Sequence, residues 1–258
     1  MHNEILTIGS FSIHGYGLMI GLGVLGALIL GDYRAKKQGL DSDHIYGMTF
    51  WAVVLGFLAA KILFIITQWK TFVDNPLSYL SGAGFVVYGG IIGGALTIYG
   101  FCRIKKIDLL SYLDLMIPSV ALAQALGRIG CFLAGCCYGR ETDSCIGVVF
   151  TQSDFAPNGV KLLPTQLIMS AGDFIIMAVL LWYAAKKPMR GRVTALYLML
   201  YSIGRFLVEF LRDDDRGMVG SLSTSQFIAI FVLIFGVVGY TIILPRLNGR
   251  KQEENVAK

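Results

Sequence analysis

Seven apolar stretches, each long enough to cross a bilayer, constrain this chain more than any other feature of its sequence. A helix needs about 20 mostly apolar residues to span the hydrocarbon core. The ten-residue alternating segments typical of membrane β-barrels are absent from the sequence, so helical spans are predicted. The predicted spans are Gly15–Asp32, Tyr46–Gln68, Gly84–Cys102, Leu109–Cys131, Gln166–Ala185, Val193–Leu211 and Gln226–Leu244. We therefore expect an all-α integral membrane protein with seven transmembrane helices in a single polytopic domain, residues 1–258.

Composition excludes a soluble globular protein. The 258 residues are 55% hydrophobic and 15% charged, with a mean hydropathy of +0.65, outside the usual range of soluble domains. The net charge of +5 does not indicate nucleic acid, because the basic residues lie in short loops where they contact anionic lipid head groups. Residues 1–14 have no basic segment typical of a signal peptide, so the first span is expected to stay in the membrane.

Basic loop residues predict the orientation, because Lys and Arg in short loops are retained on the cytoplasmic side. Three of the 22 basic residues fall inside spans. The cytoplasmic side receives Arg34, Lys36, Lys37, Arg103, Lys105, Lys106, Lys186, Lys187, Arg190, Arg192, Arg246, Arg250, Lys251 and Lys258. The outer side receives Lys70, Arg140, Lys161, Arg212 and Arg216. We predict an N-terminus outside, a C-terminus inside, a cytoplasmic basic tail at about 246–258, and an inner loop at 33–45.

The most unusual stretch is Gly127–Gly139, which closes the fourth span. It contains four glycines, three cysteines and Arg128. Glycines let a backbone or a ligand approach closely, and an arginine within a membrane span usually marks a functional site. The segment that follows, about 140–165, is the longest outer loop and predicts a small head segment beside that site.

Further polar residues interrupt the spans. A charge at the bilayer centre costs at least about 2.5–3.5 kcal/mol, and less near the interface, so it faces the bundle interior or a wet cavity. One helical face of span six is polar because its side chains recur every three or four residues. These side chains are Tyr201, Arg205, Glu209 and Arg212. A structural Arg205–Glu209 pair and a Lys61 that extends outward to the interface are the alternatives to a ligand site.

Polar side chains from several spans are predicted to lie at one depth. Spans two, four and six run outward and place Lys61, Arg128, Arg205 and Glu209 in their outer halves, at about 1.5 Å per residue. Tyr16 and Tyr88, near the outer ends of spans one and three, reach the same level. Such cations suit an anionic phosphodiester, because guanidinium binds phosphate oxygens in bidentate fashion. We predict a substrate that is an anionic phospholipid of the outer leaflet.

Span three carries glycines at 89, 90, 93 and 94. These form two pairs of small residues four apart, a pattern typical of close helix packing in membranes.

The sequence resembles the phosphatidylglycerol–prolipoprotein diacylglyceryl transferases of bacterial inner membranes over nearly its full length. The family signature has the form G-R-x-G-N-F-x-N-x-E-x-x-G. This chain has Gly127, Arg128, Gly130, Phe132 and Gly139 in register with it.

Other motifs of that family follow in the same order. The family's His-x-Tyr-Gly is similar to His14–Gly17, and its span-three His-Gly-Gly motif is similar to Tyr88–Gly93. Its Arg-x-x-x-Glu-Phe-x-Arg motif resembles Arg205–Arg212, and its Pro-Ser-Gln-Leu resembles Pro164–Leu167. The resemblance implies the seven-span fold and an enzyme of the inner membrane whose active site faces the outer leaflet.

The implied reaction transfers the diacylglyceryl group of phosphatidylglycerol to the lipobox cysteine of a preprolipoprotein, with release of glycerol phosphate. The resemblance implies neither a metal nor an organic cofactor. The partners that it implies for the protein are these two substrates and membrane lipids. The catalytic candidates are Arg128, Arg205, Tyr88 and Glu209. The substrate-binding candidates are Tyr16, Gly89, Gly90, Gly130, Gly139, Tyr201 and Lys61.

The sequence departs from the signature at several positions. Cys131 and Ala134 replace its two Asn residues, Cys136 replaces its Glu, and Tyr88 replaces the span-three His. Proton transfer then falls to Tyr88 or to a cysteine thiolate. The alternative function is a paralogue that binds anionic phospholipid at the outer leaflet with altered or lost chemistry.

The roles of Cys131, Cys136 and Cys137 stay open at this point. A disulfide is one hypothesis, because an outer location is compatible with oxidation. A reactive thiol beside Arg128 or Arg140 is a second. Zinc is the least favoured, because the cysteine spacing matches no common structural site and no histidine is near in the sequence.

Overall fold

The computed structural model describes residues 4–8, 11–81, 84–214 and 217–249. Seven of its helices are long and apolar enough to cross a membrane, which confirms the predicted fold class. The helices are α1 (Gly15–Gln38), α2 (Ser42–Thr67), α3 (Trp69–Asp74), α4 (Pro76–Ser81), α5 (Val87–Lys105), α6 (Leu109–Ala134), α7 (Thr165–Ala185), α8 (Arg192–Val208) and α9 (Thr224–Val238). A 3₁₀ turn at Glu209–Leu211 extends α8, and a π-helical turn at Gly239–Ile243 continues α9.

The first span extends six residues further than predicted, so the expected loop at 33–45 is wrong over much of its length. Lys36 donates to Asp32 at 2.8 Å, one turn earlier on the helix. Basic side chains in a last turn also favour the helix, because its C-terminal end carries partial negative charge. Gly39 ends the helix at φ 68°, and the N–H of Leu40 donates to the carbonyl of Ala35.

Short strands form three antiparallel pairs. Strands β1 (Glu4–Ile8) and β2 (Phe11–His14) form a hairpin before α1. Strands β3 (Val148–Val149) and β4 (Lys161–Leu162) pair within the segment that joins α6 to α7. Strands β5 (Met218–Val219) and β6 (Leu222–Ser223) pair just before α9.

The chain divides into two compact units, Met1–Leu30 with Leu113–Lys258, and Gly31–Tyr112. In the second unit, α2 and α5 pack through glycines. A Cβ on Gly89 would lie 2.6 Å from the carbonyl oxygen of Ala59, and one on Gly93 would lie 2.3 Å from the Cβ of Ala59. This confirms close helix packing at both glycines.

The first unit is built on α6, α7, α8 and α9 with the beginning of α1. Its core contains Ala121, Leu180, Val193 and Tyr197. The buried end of α8 is anchored to α6 by Asp114, whose carboxylate accepts from the N–H of Gly191 at 2.6 Å and from the N–H of Thr194 at 2.8 Å. These contacts satisfy backbone donors at the start of a helix, where no intrahelical partner exists.

Most residues of the seven long helices are at least partly accessible at the surface of the chain. Their exposed side chains are mainly large and apolar, as expected where lipid is the solvent. Arg216 and the tail residues Arg250, Lys251 and Lys258 lie outside the described residues. The orientation of the termini and the single domain stay predictions.

Candidate active site

Arg128 lies in the last two turns of α6 and is half-buried. It forms no hydrogen bond or salt bridge with any residue in the described ranges. Asp173, Tyr201 and Cys137 lie within electrostatic range of its guanidinium group. Guanidinium carries five N–H donors in a planar fork, so Arg128 offers a cation with open donors to an incoming acceptor.

Asp173 on α7 is a carboxylate within electrostatic range of Arg128. It is buried, and its Oδ2 has no hydrogen-bond partner among the described residues. Arg128 is its charged neighbour, within electrostatic range but without salt-bridge contact. The two charges offset each other, yet both keep unsatisfied polar atoms. Such buried groups are costly unless a ligand or water completes them.

A cavity of about 50 Å³ lies beside Asp173, between α7 and α8. Tyr201 and Arg205 line it from α8. Gly172 and Gly204 also line it, and a Cβ on either glycine would meet nothing within 4 Å. Two of the four polar side chains on the predicted face of span six, Tyr201 and Arg205, therefore border this space.

Arg205 differs from Arg128 because it is paired. Its Nη1 donates to Oε2 of Glu209, one turn further along the chain, and its Nη2 donates to Oγ of Ser225 at 2.6 Å. The side chains of Arg205 and Glu209 are only 11% and 2% exposed. The structural pair that the spacing allowed is thus present, and it fixes the guanidinium beside the cavity.

Tyr201 is held by aromatic stacking. Its ring lies 5.7 Å from that of Tyr197, at an angle of 19°. The hydroxyl of Tyr197 donates to Oε1 of Gln124 on α6 at 2.6 Å. This chain of contacts joins α8 to α6 one turn from Arg128, so Tyr201 has a defined position at the cavity.

Gly139 fastens the segment after α6 to two other helices. Its N–H donates to the carbonyl of Leu163 at 3.0 Å, and the N–H of Arg140 donates to the carbonyl of Leu211 at 3.0 Å. A Cβ on Gly139 would lie 2.7 Å from the first of these oxygens and 2.8 Å from the second. Only glycine fits between these backbones, which explains its place in the signature.

The three cysteines of the stretch form one cluster. The sulfur atoms of Cys131, Cys136 and Cys137 all lie within 4.8 Å of one another, and each residue is half-buried. All five cysteines of the chain lie in described residues and are free, so no disulfide is present. Cys137 adopts φ 61°, a left-handed conformation that is uncommon for a non-glycine residue.

The thiols of the two cysteines after the helix have pKa values shifted in opposite directions. Hydrogen bonds from Cys131 and Cys136, followed by the charges of Arg212 and Arg128, lower the pKa of the Cys137 thiol below its ordinary value. Hydrogen bonds to Cys131 and Cys137 raise the pKa of the Cys136 thiol. Of these two thiols, Cys137 is therefore the one that ionises more readily.

Tyr16 and Gly130 connect α1 to this cluster. A Cβ on Gly130 would lie 3.2 Å from the carbonyl oxygen of Tyr16, so α1 and α6 approach closely there. Tyr16 is half-exposed, and the three cysteines and Arg128 lie within its electrostatic range. The first unit thus brings Tyr16, Arg128, the cysteine cluster and Tyr201 together.

Four candidates belong to the second unit. Lys61 donates to the carbonyl of Gly84 at 3.3 Å and lies over the rings of Phe64 and Phe85. Tyr88 is 38% exposed. Gly89 and Gly90 lie in the α2–α5 contact. The roles of Lys61, Tyr88, Gly89 and Gly90 in substrate binding or catalysis stay predictions.

Comparison with known proteins of similar sequence shows the family of this chain. A family model for prolipoprotein diacylglyceryl transferase matches residues 3–242. A phosphatidylglycerol–prolipoprotein diacylglyceryl transferase from Clostridium tetani is 53% identical over 94% of this chain and 98% of its own length. A second, numbered 2 in Clostridium perfringens, is 49% identical over 95% of this chain and 96% of its own.

The chain belongs to the prolipoprotein diacylglyceryl transferase family. A more distant relative of the same name, from Finegoldia magna, is 34% identical over 92% of this chain. Membership confirms the resemblance and identifies the protein as a transferase and a membrane protein of lipoprotein biosynthesis.

One residue at the cavity of this transferase family member was not predicted from the sequence as a site residue. Asp173 of span five is not among the site residues predicted from the sequence, whereas the structure places it at the cavity beside Arg205 and Tyr201. A carboxylate inside an otherwise apolar span was the available signal. Gln124 and Tyr197 were not predicted because their contact depends on how α6 and α8 pack against each other.

Proposed function

We propose that the chain transfers the diacylglyceryl group of phosphatidylglycerol to the lipobox cysteine of preprolipoproteins. The relatives carry this activity in their names. The structural observation that supports it most is Arg128, a half-buried guanidinium without a hydrogen-bonding partner among the described residues. A phosphodiester has one negative charge and two oxygens that fit such a fork.

Arg128 binds the lipid phosphate in this proposal. Its charge is only partly offset by Asp173, which lies in range without contacting it. Phosphate oxygens complete its donors and remove the penalty of a polar group in an apolar span. Gly127 leaves room on the same helix, because a Cβ added there would meet nothing within 4 Å.

Arg205 provides a second cation, which lines the cavity beside Asp173. Glu209 and Ser225 already use part of its hydrogen-bonding capacity, so it acts at a fixed position and with reduced net charge. Charge accumulates on the leaving phosphate as the reaction proceeds, and fixed cations stabilise such charge more than mobile ones do. Tyr201 borders the same space and orients the lipid.

The reaction displaces a phosphate monoester. The acceptor thiol loses its proton, and its sulfur attacks the glycerol carbon that bears the phosphate. A carbon–sulfur bond forms while the carbon–oxygen bond breaks, and its electron pair leaves on glycerol phosphate. Tyr88 and the cysteine cluster are the candidates that assist loss of the proton.

The proposed location is the bacterial plasma membrane, with the site at the outer leaflet. The distribution of basic residues, fourteen on one side and five on the other, supports an N-terminus outside. A fluorescent reporter that folds only in the cytoplasm, fused after Lys258, should fluoresce. A dark fusion in cells that make the protein would reverse this orientation.

The activity test uses purified protein in detergent with phosphatidylglycerol and a lipobox peptide. Mass spectrometry should detect the thioether peptide and glycerol phosphate in equal amounts. Arg128→Ala should lose this product, whereas Arg140→Ala, an exposed arginine of the adjoining segment, should keep it. Folded wild-type protein that binds the lipid but yields neither product would overturn the proposed function.

A further inference from the structure

The cysteine cluster has the dimensions of a metal site. Its three sulfur atoms lie within 4.8 Å of one another. A four-coordinate zinc ion with Zn–S distances of about 2.3 Å places its sulfur ligands about 3.8 Å apart. The sulfur atoms of Cys131, Cys136 and Cys137 therefore need to move together by about 1 Å at most, which rotation of side chains supplies.

The backbone that carries these cysteines is already fixed. The carbonyl of Cys136 accepts from Nε2 of Gln166 at 2.7 Å, and that of Cys137 accepts from Oγ1 of Thr165 at 2.7 Å. The N–H of Cys136 donates to the carbonyl of Cys131 at 3.1 Å. A site anchored by such outer contacts binds without ordering a loop, and metal sites commonly depend on contacts of this kind.

The charged side chains near the cluster also suit a zinc–thiolate site. Three thiolates and one Zn²⁺ carry a net charge of −1, which is costly in a half-buried site without a counter-charge. Arg212 and Arg128 both lie within electrostatic range of Cys137. Arg212 is already paired with Asp214, so Arg128 is the main counter-charge for a zinc–thiolate site.

The cluster has three protein ligands and not four. No His, Asp or Glu in the described ranges joins the three sulfur atoms. Three protein ligands with one open position are typical of catalytic zinc, whereas structural zinc has four. The open position points to a reacting group as the fourth ligand.

We propose that Cys131, Cys136 and Cys137 bind one zinc ion whose fourth ligand is the thiolate of the acceptor cysteine. The proposal rests on the proposed function, because the acceptor thiol is its substrate. It differs from the expectation of a reaction without metal, which came from the resemblance to a family whose signature has Asn and Glu at two of these positions.

The site replaces a general base. When the acceptor sulfur binds zinc its proton is released to solvent, because a coordinating thiol is deprotonated outright. The sulfur electron pair then forms the bond to the glycerol carbon, and the carbon–oxygen pair leaves on glycerol phosphate. The neutral thioether product is a weaker ligand than a thiolate, so product leaves and the position reopens.

The first test measures metal content in the full-length, reduced protein in detergent. Protein stripped with a chelator and equilibrated with buffered zinc should take up one zinc per chain, measured by elemental mass spectrometry. Cobalt in place of zinc should give an intense sulfur-to-metal charge-transfer band. Cys131→Ser, Cys136→Ser and Cys137→Ser should each weaken binding at least tenfold.

Cys145→Ser is the matched control, since Cys145 is an exposed cysteine of the adjoining segment outside the cluster. It should keep zinc at the wild-type affinity. The double variant Cys131→Asn with Cys136→Glu places the residues of the family signature at these two positions, so it guards against misfolding and should also lose zinc. Reduced wild-type protein without zinc at micromolar free metal, or with a disulfide in the cluster after reduction, would overturn the site.

The second test examines the open position. A lipobox peptide with Cys should change the charge-transfer band of the cobalt protein without phosphatidylglycerol present, and the same peptide with Ser should not. A peptide that leaves the band unchanged, or full turnover by metal-free protein, would overturn the role of zinc. If zinc and peptide bind but no thioether ever forms, the proposed function fails while the site stands.

Discussion

Arg128 and Arg205 both lie in apolar membrane helices, but they differ in their hydrogen bonds. Arg205 is held by Glu209 and Ser225, whereas Arg128 has no hydrogen bond among the described residues. A paired charge contributes to the fold when its partner stays in place, and an unpaired charge is stabilised only by a ligand. The contrast suggests that Arg205 positions the site and that Arg128 binds the substrate.

The largest effect should come from breaking the Arg205–Glu209 pair. Arg205→Met removes the salt-bridge partner of the buried Glu209, and loss of one partner of a buried pair costs about 3–5 kcal/mol. The free energy of unfolding in detergent measures this loss. Arg128→Met, which removes an arginine without a salt bridge, should change it by less than about 1 kcal/mol.

Replacing both partners separates stability from catalysis. Arg205→Met with Glu209→Leu removes both charges and should regain most of the lost stability, because apolar replacements of a buried pair are often neutral. Its activity should stay low, since the second cation is still missing. Equal stability losses in Arg128→Met and Arg205→Met would contradict the contrast between the two arginines.

The next effect is on turnover. Arg128→Gln should lower kcat/KM by about 10²–10³, equivalent to about 2.7–4 kcal/mol, which is typical for loss of one fixed donor to a developing anion. Arg128→Lys keeps the charge but cannot bind in bidentate fashion, so its kcat/KM should lie between those of the wild type and Arg128→Gln. Product formation by mass spectrometry at several lipid concentrations gives the values. Lysine activity as low as that of glutamine would mean that charge is not the main contribution.

Gly139 links the two arginine-bearing helices, because it bridges the segment after α6 to the end of α8. Gly139→Ala should destabilise the protein by about 1–3 kcal/mol, as expected when a methyl group is forced between packed backbones. Gly127→Ala is the control, since its Cβ meets nothing within 4 Å and Ala favours a helix. Thermal unfolding of both variants compares them. A Gly139→Ala protein as stable as Gly127→Ala would show that the bridge is not tight.

The contrast between the arginines was only partly predictable. The sequence predicted the seven spans, the stretch around Arg128 and the spacing of Arg205 and Glu209, because hydrophobic length and helical period are local properties. It left open whether Arg205 and Glu209 pair, since a spacing of four residues allows a contact without requiring it. Asp173 and Ser225 depend on how α7 and α9 pack, which no local pattern contains.

The cysteines show the same limit. Their spacing along the chain argued against zinc, because C-x₄-C-C resembles no common site. The backbone turn after α6, with Gly135 and Cys137 at positive φ, folds the three sulfur atoms together. Distance along a chain is therefore a poor guide where a helix ends in a tight turn.

The smallest predicted effect is that of each arginine's charge on the pKa of the Cys137 thiol. The lowered pKa of Cys137 comes first from hydrogen bonds of Cys131 and Cys136, and then from the charges of Arg212 and Arg128. A lowered pKa makes the thiolate present below the ordinary thiol value of about 8.5, and alkylation follows the thiolate. In metal-free, reduced protein, Cys137 should therefore react with iodoacetamide at lower pH than an ordinary thiol.

Arg128→Gln should move the midpoint of that pH profile upward, because one stabilising charge near the thiolate is lost. The Arg205→Met with Glu209→Leu variant should leave it in place, since the pair it removes carries no net charge. Peptide mass spectrometry resolves modification of Cys137 from that of Cys136, whose raised pKa shifts its reaction to higher pH. A midpoint that moves equally in both variants would mean that the field of Arg205 also reaches the cluster, and that its pairing with Glu209 does not confine it.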